Sequence, residues 1–291
     1  MDILITGGAG QVGTELRQLA WPDGVTIHTP DRTALDLADP DSVERIMASR
    51  SWGAVISSGA YTAVDKAESE VRDAWLVNAV APAILARQAG TAGIPIVHVS
   101  TDYVFDGSKD GFYVEDDPVA PLNVYGASKE GGEQAVRSAN PRHAIVRTAW
   151  VVSRHRSNFV KTMLRLGAER DEVRVVSDQR GCPTFAADLA AALQTVMLRL
   201  AEDEAAPTGT YHFANAGEAS WAEFAAAIFA SCARHGGPQP KVTPITTADF
   251  PTPAKRPRNS RLATTKIAAD FGIRPRPWRE ALDDTIASLA R

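Results

Sequence analysis

The chain opens with an apolar strand that runs directly into a glycine-rich turn and then a helix. Asp2-Ile3-Leu4-Ile5-Thr6 reads as a short buried strand, and Thr14 to Ala20 has a helical pattern. Between them Gly7, Gly10 and Gly13 spell G-x-x-G-x-x-G. Small residues at these positions permit a tight turn, a close approach of backbone to a pyrophosphate, and close packing of helix on sheet. The helix start adds free N–H groups and the positive end of a dipole. A glycine pattern alone is often only a turn. With a strand before it and a helix after it, it predicts a dinucleotide site.

The rest of the first half fits a sheet built from such units. Val25 to Thr29 reads as a second strand ending at Asp31-Arg32, about twenty residues past the glycines, where an adenosine ribose would lie. Asp31 would bond a free 2′-hydroxyl and favours NAD, whereas Arg32 would pair a 2′-phosphate and favours NADP. Further strands are expected at Ala54–Ser58, Pro95–Ser100 and His143–Trp150, with helices near 41–49, 71–92 and from 124 onward. Strands alternating with helices predict a parallel sheet wound on both faces, with ligands at the carboxyl ends of its strands. Gly59-Ala60-Tyr61 and Ser100-Thr101-Asp102 fall at such ends, beside the glycine turn. The expected fold class is α/β: a Rossmann-type doubly wound parallel sheet with a smaller C-terminal substrate-binding lobe. Residues 1–150 would form the dinucleotide-binding domain, and 151–291 mainly the lobe, with later segments returning to the first domain. Past residue 234 the repeated prolines, from Pro238 to Pro257, favour irregular structure.

Within this frame Tyr125 and Lys129 stand four residues apart at the start of a helix, so both side chains emerge on one face. An ammonium beside a phenol makes it a better proton donor and acceptor near neutral pH. Trp150, at a strand's carboxyl end, is either pocket floor or core. Between Ala254 and Arg279 lie eight basic residues and one acid, Asp270. Arg256 and its neighbours have guanidinium forks suited to the phosphates of a diphosphate-bearing substrate. That run carries no aromatic interleaving, and the net charge is -4, so neither nucleic acid nor an anionic membrane is expected as a partner. No long apolar run predicts a membrane span. The histidines show no helical metal-ligand spacing, and no metal is assigned. Cys182 and Cys232 predict no disulfide framework; they fit a reducing compartment and a cytoplasmic location, with Cys182 a packed thiol.

The N-terminal glycine motif, Ser-Thr-Asp at a strand end, and Tyr-x-x-x-Lys 24 residues after Thr101 resemble the extended branch of the short-chain dehydrogenase/reductases, which acts on nucleotide sugars. Five phrases narrow the resemblance: Thr62 to Glu68, Ser100 to Gly107, Pro121 to Gly126, Asp178 to Thr184 and Arg256 to Leu262 are similar to the dTDP-4-dehydrorhamnose reductase family. This resemblance implies reduction of the 4-keto group of dTDP-6-deoxy-L-lyxo-4-hexulose by NADPH or NADH. Tyr125 would donate the proton, Lys129 would hold the nicotinamide ribose and lower the phenol's pKa, and Thr101 would bond the developing alkoxide. It implies cofactor contacts from Gln11 and Val12 at the phosphates, Asp36 and Leu37 at the adenine, and Ala60, Tyr61, Thr62 and Val99 toward the nicotinamide half. Thr101, Asp102, Trp150 and Arg256 would contact the sugar nucleotide. Related 4,6-dehydratases carry a glutamate immediately after the Thr-Asp, where this chain has Tyr103, so simple reduction fits better than elimination or epimerisation. Another nucleotide-sugar 4-ketoreductase, such as one forming 6-deoxy-L-talose, is the nearest alternative. A non-catalytic regulatory subunit like that of methionine adenosyltransferase is the alternative of another class. The resemblance leaves room for a homodimer, and Glu15 matches one acidic position of a metal-bridged dimer, but the metal is not carried over.

Overall fold

In the first strand the side chains alternate between two buried faces, as a strand covered on both sides requires. The computed structural model, which describes residues 1–290, has β1 at Asp2–Thr6, with Ile3 and Ile5 in one core and Leu4 in the other. The chain continues through α1 (Gln11–Gln18), β2 (Thr26–His28), α2 (Pro40–Ala48), β3 (Ala54–Ser57), α3 (Val64–Ala67) and α4 (Val71–Trp75). A π-helical turn (Leu76–Val80) leads into α5 (Ala81–Thr91), then β4 (Ile96–Thr101), a 3₁₀ turn (Asp102–Val104), α6 (Val124–Ala139) and β5 (His143–Thr148). The second half comprises β6 (Val151–Val152), α7 (Phe159–Glu169), β7 (Glu172–Val176), β8 (Arg180–Gly181), β9 (Thr184–Phe185) and α8 (Ala186–Glu202). It ends with β10 (Gly209–His212), β11 (Ala219–Ser220), α9 (Trp221–Ala233), β12 (Lys241–Ile245), β13 (Asn259–Ser260), α10 (Thr265–Phe271) and α11 (Trp278–Leu289).

Six strands form one parallel sheet in the order β10-β5-β4-β3-β1-β2. Because β2 and β3 flank β1 on opposite sides, successive crossovers leave β1 in opposite directions, and a crevice opens at the carboxyl ends of β1 and β3. Leu16 of α1 and Leu189, Leu193 and Val196 of α8 cover one face of the sheet. Val43 and Met47 of α2, Leu85 of α5 and Val136 of α6 cover the other.

The helix expected over 71–92 is one path but not one ladder. Pro82 has no N–H to donate to Asn78, and the ladder widens into the π turn just before it. This turn directs the Asn78 side chain inward, with consequences for the site.

A second core gathers Val173 and Val175 of β7, Phe224 and Ile228 of α9, and Trp278 of α11. The proline-rich stretch is more ordered than expected. β12 contains Pro244 yet pairs in parallel with β7. In a two-stranded ribbon one edge is free, so the missing N–H costs no ladder bond there. Neither does the chain after residue 151 stay in one place: β10 extends the main sheet beside β5, and Ile267 of α10 joins the core beneath it.

Candidate functional site

A crevice of about 720 Å³ lies over the carboxyl ends of β1, β3, β4 and β5. Its first wall is the glycine turn, and Gly7, Gly10, Gln11, Val12 and Gly13 all face it. Gly7 adopts φ +72°, and a Cβ on Gly13 would lie 2.2 Å from the Gly7 carbonyl oxygen, so neither position accepts an ordinary side chain. Gly10 caps α1 in an extended conformation without a side-chain bond, which leaves the N–H groups of the first turn open toward the crevice. This cradle fits a dinucleotide's pyrophosphate. Gln11 is expected at the phosphates, and its side chain is engaged within the protein. Its Nε2 donates to Val151 O (3.3 Å), and its Oε1 accepts from Ser153 Oγ and Asn158 Nδ2 (both 3.0 Å). Only its backbone remains for a ligand.

Ala60 and Thr62 line the crevice past β3, where Gly59 N donates to Thr6 Oγ1 (3.0 Å). Tyr61 turns away and donates its hydroxyl to Glu70, which pushes the phenol up to about 12. The Tyr61 backbone is held by Asn78, whose Oδ1 accepts from Tyr61 N (2.8 Å) and whose Nδ2 donates to Tyr61 O (3.1 Å) and Ser128 Oγ (3.0 Å). Asn78 therefore ties the β3 loop to α6. It sits inside an expected helix, and nothing in the local sequence marks it.

The opposite wall holds Val99, Thr101, Asp102, Tyr125 and Lys129. Asn123 starts α6 by accepting from Gly126 N (2.8 Å), and a Cβ on Gly126 would lie 2.2 Å from Tyr103 O, so the helix seats directly on the 3₁₀ turn. That seating brings Tyr125 beside Thr101. The Thr101 hydroxyl donates to Asp102 Oδ1 (3.1 Å) and accepts from Tyr103 N (3.2 Å). Lys129 Nζ donates to Val99 O (2.7 Å) and to His98 Nε2 (3.4 Å); His98 is buried, and that desolvation, with the neighbouring ammonium, holds its pKa well below the usual imidazole value.

The electrostatics differ from the expectation that Lys129 lowers the Tyr125 pKa. Burial dominates and pushes the phenol up to about 12, with the Thr101 hydroxyl partly offsetting it. Burial also lowers Lys129 to about 8, against an opposing pull from Glu133 one turn along α6. Glu133 is fixed by Arg147, whose Nε and Nη2 donate to its two oxygens at 2.9 and 2.7 Å. At neutral pH, then, the phenol keeps its proton and the Lys129 ammonium, one helical turn along, keeps its charge. Asp102 is buried, its Oδ2 has no hydrogen-bond partner among the described residues, and its carboxyl is raised to about 6.

Trp150 closes one end of the crevice with φ +50°. A left-handed backbone on an aromatic residue is strained and marks a held position. Its indole stacks on Trp221 at 3.5 Å and lies against Gly181, where a Cβ would come within 2.5 Å of the ring. Trp221 in turn lines a second cleft of about 660 Å³ with Phe159, Met163, Val173 and Val175. The two tryptophans are thus the shared wall of crevice and cleft.

Other expected residues lie apart. Asp31 spends its carboxylate on its own turn, accepting from Thr33 N (2.9 Å), Thr33 Oγ1 (2.6 Å) and Ala34 N (3.1 Å). Arg32 is exposed, with Nε 3.6 Å from Asp36. Asp36 accepts from Ala38 N, and Leu37 packs over Gly59. Arg256 borders the second cleft and pairs with Asp65 through Nη1 (3.0 Å) and Nη2 (2.8 Å). Much of the basic C-terminal run is neutralised by acids from earlier in the chain, Arg261 by Glu218 and Arg276 by Asp188. Glu15 pairs with His155 (3.4 Å) and Arg154 (3.8 Å). Cys182 is packed, and burial raises its thiol to about 11. Sequence reasoning also missed Arg156 and Asn158, which line the crevice from the loop after β6; the polar, basic run Ser153 to Asn158 between strand and helix was the available signal.

Comparison with known proteins agrees with this arrangement. A family model described as the RmlD substrate binding domain matches residues 1–291. A dTDP-4-dehydrorhamnose reductase from Sinorhizobium fredii is 46% identical over 282 residues, covering 97% of this chain and 95% of its own. The crystal structure of a dTDP-4-dehydrorhamnose reductase from Clostridium acetobutylicum matches with a TM-score of 0.93 at 40% identity, covering 100% of both chains. Another, from Bacillus anthracis in complex with NADP, matches with a TM-score of 0.91 at 35% identity over 99% of each. With a family model spanning the whole sequence and relatives this similar over their full lengths, the chain belongs to the RmlD substrate binding domain family.

Proposed function

We propose that this protein reduces the 4-keto group of dTDP-6-deoxy-L-lyxo-4-hexulose with NAD(P)H, giving dTDP-L-rhamnose. The observation that carries the reading is a half-buried, protonated Tyr125 placed with Lys129 and Thr101 across a crevice from an uncapped glycine turn. A coenzyme bound there supplies the hydride that C4 of the sugar accepts. Tyr125 gives its proton to the oxygen on C4, a task for which a phenol that stays protonated at neutral pH is ready. The Thr101 hydroxyl, turning from Asp102, donates a hydrogen bond to the same oxygen as charge develops on it. Lys129, fixed by Val99 and His98, holds the nicotinamide ribose and keeps a positive charge beside the phenol. Tyr103, in the place where dehydratases have a glutamate, is raised by burial and has no capacity to take a proton from C5 at neutral pH.

The elements around β1 to β5 serve as the dinucleotide-binding part. The second cleft, apolar between Phe159, Met163 and Val175, suits the thymidine end of the substrate, with Trp150 against the sugar. Arg256 stands at the rim of that cleft for the diphosphate, oriented by Asp65. Because Asp31 is committed to its own turn and Arg32 is exposed, NADPH is favoured over NADH. A cytoplasmic location fits two free cysteines, and a homodimer fits Val71, Trp75 and Val80, exposed along one helical stretch; sedimentation velocity checks the latter. Among the described residues no helix is long and apolar enough to cross a membrane.

The test is incubation of the purified protein with the 4-keto sugar nucleotide and each coenzyme, followed by NMR of the product. Stoichiometric coenzyme oxidation with formation of the L-rhamno sugar is expected. A 6-deoxy-L-talo product, or turnover without net coenzyme consumption, would replace this reading with a different reductase or an epimerase.

A further inference from the structure

The loop after β6 carries three basic residues in a row, Arg154, His155 and Arg156, and they part company. Arg154 and His155 face the flank of α1, where both approach Glu15. Arg156 faces the other way, into the crevice. The reversal coincides with φ +56° at Arg156, one of only two non-glycine residues with positive φ among those described; the other is Trp150, in the same crevice. Glycine or asparagine adopts that conformation at less cost than arginine.

The strained arginine is aimed at the glycine turn. Its Nε donates to Ala9 O at 2.7 Å, between Gly8 and Gly10. A guanidinium has five N–H donors in a planar fork, so one bond to Ala9 leaves both terminal amino groups without a hydrogen-bond partner among the described residues. Arg156 and the open N–H groups at the start of α1 line the same crevice. The loop is held in place from both ends: Ser153 and Asn158 bond Gln11, and Lys161 Nζ donates to Arg154 O at 3.2 Å.

We infer that Arg156 is a ligand of the coenzyme's pyrophosphate, reaching over the glycine turn from the loop after β6. The inference rests on the coenzyme reading above. The helix start supplies backbone N–H groups from one side, and Arg156 supplies a fork and a full charge from the other, a geometry suited to bidentate phosphate contact. Because the pyrophosphate is common to both coenzymes, Arg156 strengthens NADH and NADPH alike and does not choose between them.

The experiment titrates NADPH and NADH separately into the full-length protein and its Arg156→Asn and Arg156→Lys variants, following intrinsic tryptophan fluorescence at low and high salt, with melting temperatures taken in parallel. Asparagine tolerates the left-handed backbone and removes the charge; lysine keeps a charge without the fork. For R156N, affinity for both coenzymes is expected to fall about tenfold at low salt, equivalent to about 1.4 kcal/mol. The difference narrows at high salt as the charge is screened. R156K falls between the two, and R156N melts within about 2 °C of the parent, a shift worth roughly 1 kcal/mol or less in a chain of this size. Unchanged affinity in R156N would overturn the inference while leaving the coenzyme reading intact. A loss confined to NADPH would assign Arg156 to the 2′-phosphate instead and also overturn it. A large fall in melting temperature with unchanged affinity would make the contact with Ala9 purely structural. A parent protein that binds neither coenzyme would remove the underlying reading together with this one.

Discussion

Replacing Asp102 by asparagine is predicted to stabilise the protein at neutral pH while lowering its turnover. The carboxyl is buried beside Thr101, which donates to Oδ1 at 3.1 Å, and Oδ2 has no hydrogen-bond partner among the described residues. Burial raises its pKa to about 6. An unfolded aspartate titrates near 3.9. Because the folded value is the higher one, the contribution of this group to stability is fully present below about pH 4 and is lost as pH rises through about 6. A gap of about two pH units at about 1.4 kcal/mol each makes the buried carboxylate cost roughly 3 kcal/mol at pH 7. Asparagine keeps the acceptor for Thr101 and removes the charge. Its amide N–H groups fall on the unpartnered side and return about 1 kcal/mol of that gain. The net is about 2 kcal/mol, or roughly 4 °C in melting temperature for a protein of this size. Near pH 4 most of the gain vanishes, because the folded parent carboxyl is then protonated and the unfolded one about half protonated. Thermal melts of the two proteins by circular dichroism at pH 4, 5, 6 and 7 measure this directly. A melting-temperature difference that stays constant across that range, or a variant that melts below its parent at pH 7, would refute the reasoning.

Two further outcomes follow from the buried charges of α6. With Lys129 at about 8, kcat/KM is expected to fall progressively above pH 8 as the ammonium loses its proton; a profile flat to pH 9.5 contradicts this. Arg147→Met leaves the buried Glu133 with only Arg137, at 2.9 Å, and should cost about 3–5 kcal/mol in urea unfolding. Adding Glu133→Leu should recover most of it, and a single-variant loss under about 1 kcal/mol would show the pair to be dispensable.

The features legible in the sequence are those whose signal is local. The apolar run before Gly7 and the helix after Gly13 mark a βα unit without reference to anything distant, and the crevice opens where that unit predicts. Tyr125 and Lys129 are readable because one helical turn joins them. What stayed hidden depends on partners far away in sequence. β10 completes the main sheet beside β5, and nothing in the residues around it says which strand it pairs with. The positive run after Ala254 reads as guanidinium forks free for a diphosphate because the acids that pair with it, Asp65, Asp188 and Glu218, come from earlier segments. Asn78 is concealed inside a helical pattern, and its role arises only because Pro82 widens the ladder there. The Tyr125 phenol was expected to be lowered by its lysine neighbour. Sequence shows the neighbour but not the burial, and burial is the larger effect.

The central claim is that Tyr125 is the proton donor in a hydride-transfer reduction. It is tested most directly by turnover of the 4-keto sugar nucleotide with NADPH in Tyr125→Phe, alongside coenzyme affinity in the same variant. The phenyl ring preserves the packing against Tyr103, whose ring centroid lies 5.4 Å away, and removes only the hydroxyl. A fall in kcat on the order of a hundredfold or more, with coenzyme affinity unchanged, is the predicted result. Turnover near the parent rate would contradict the account.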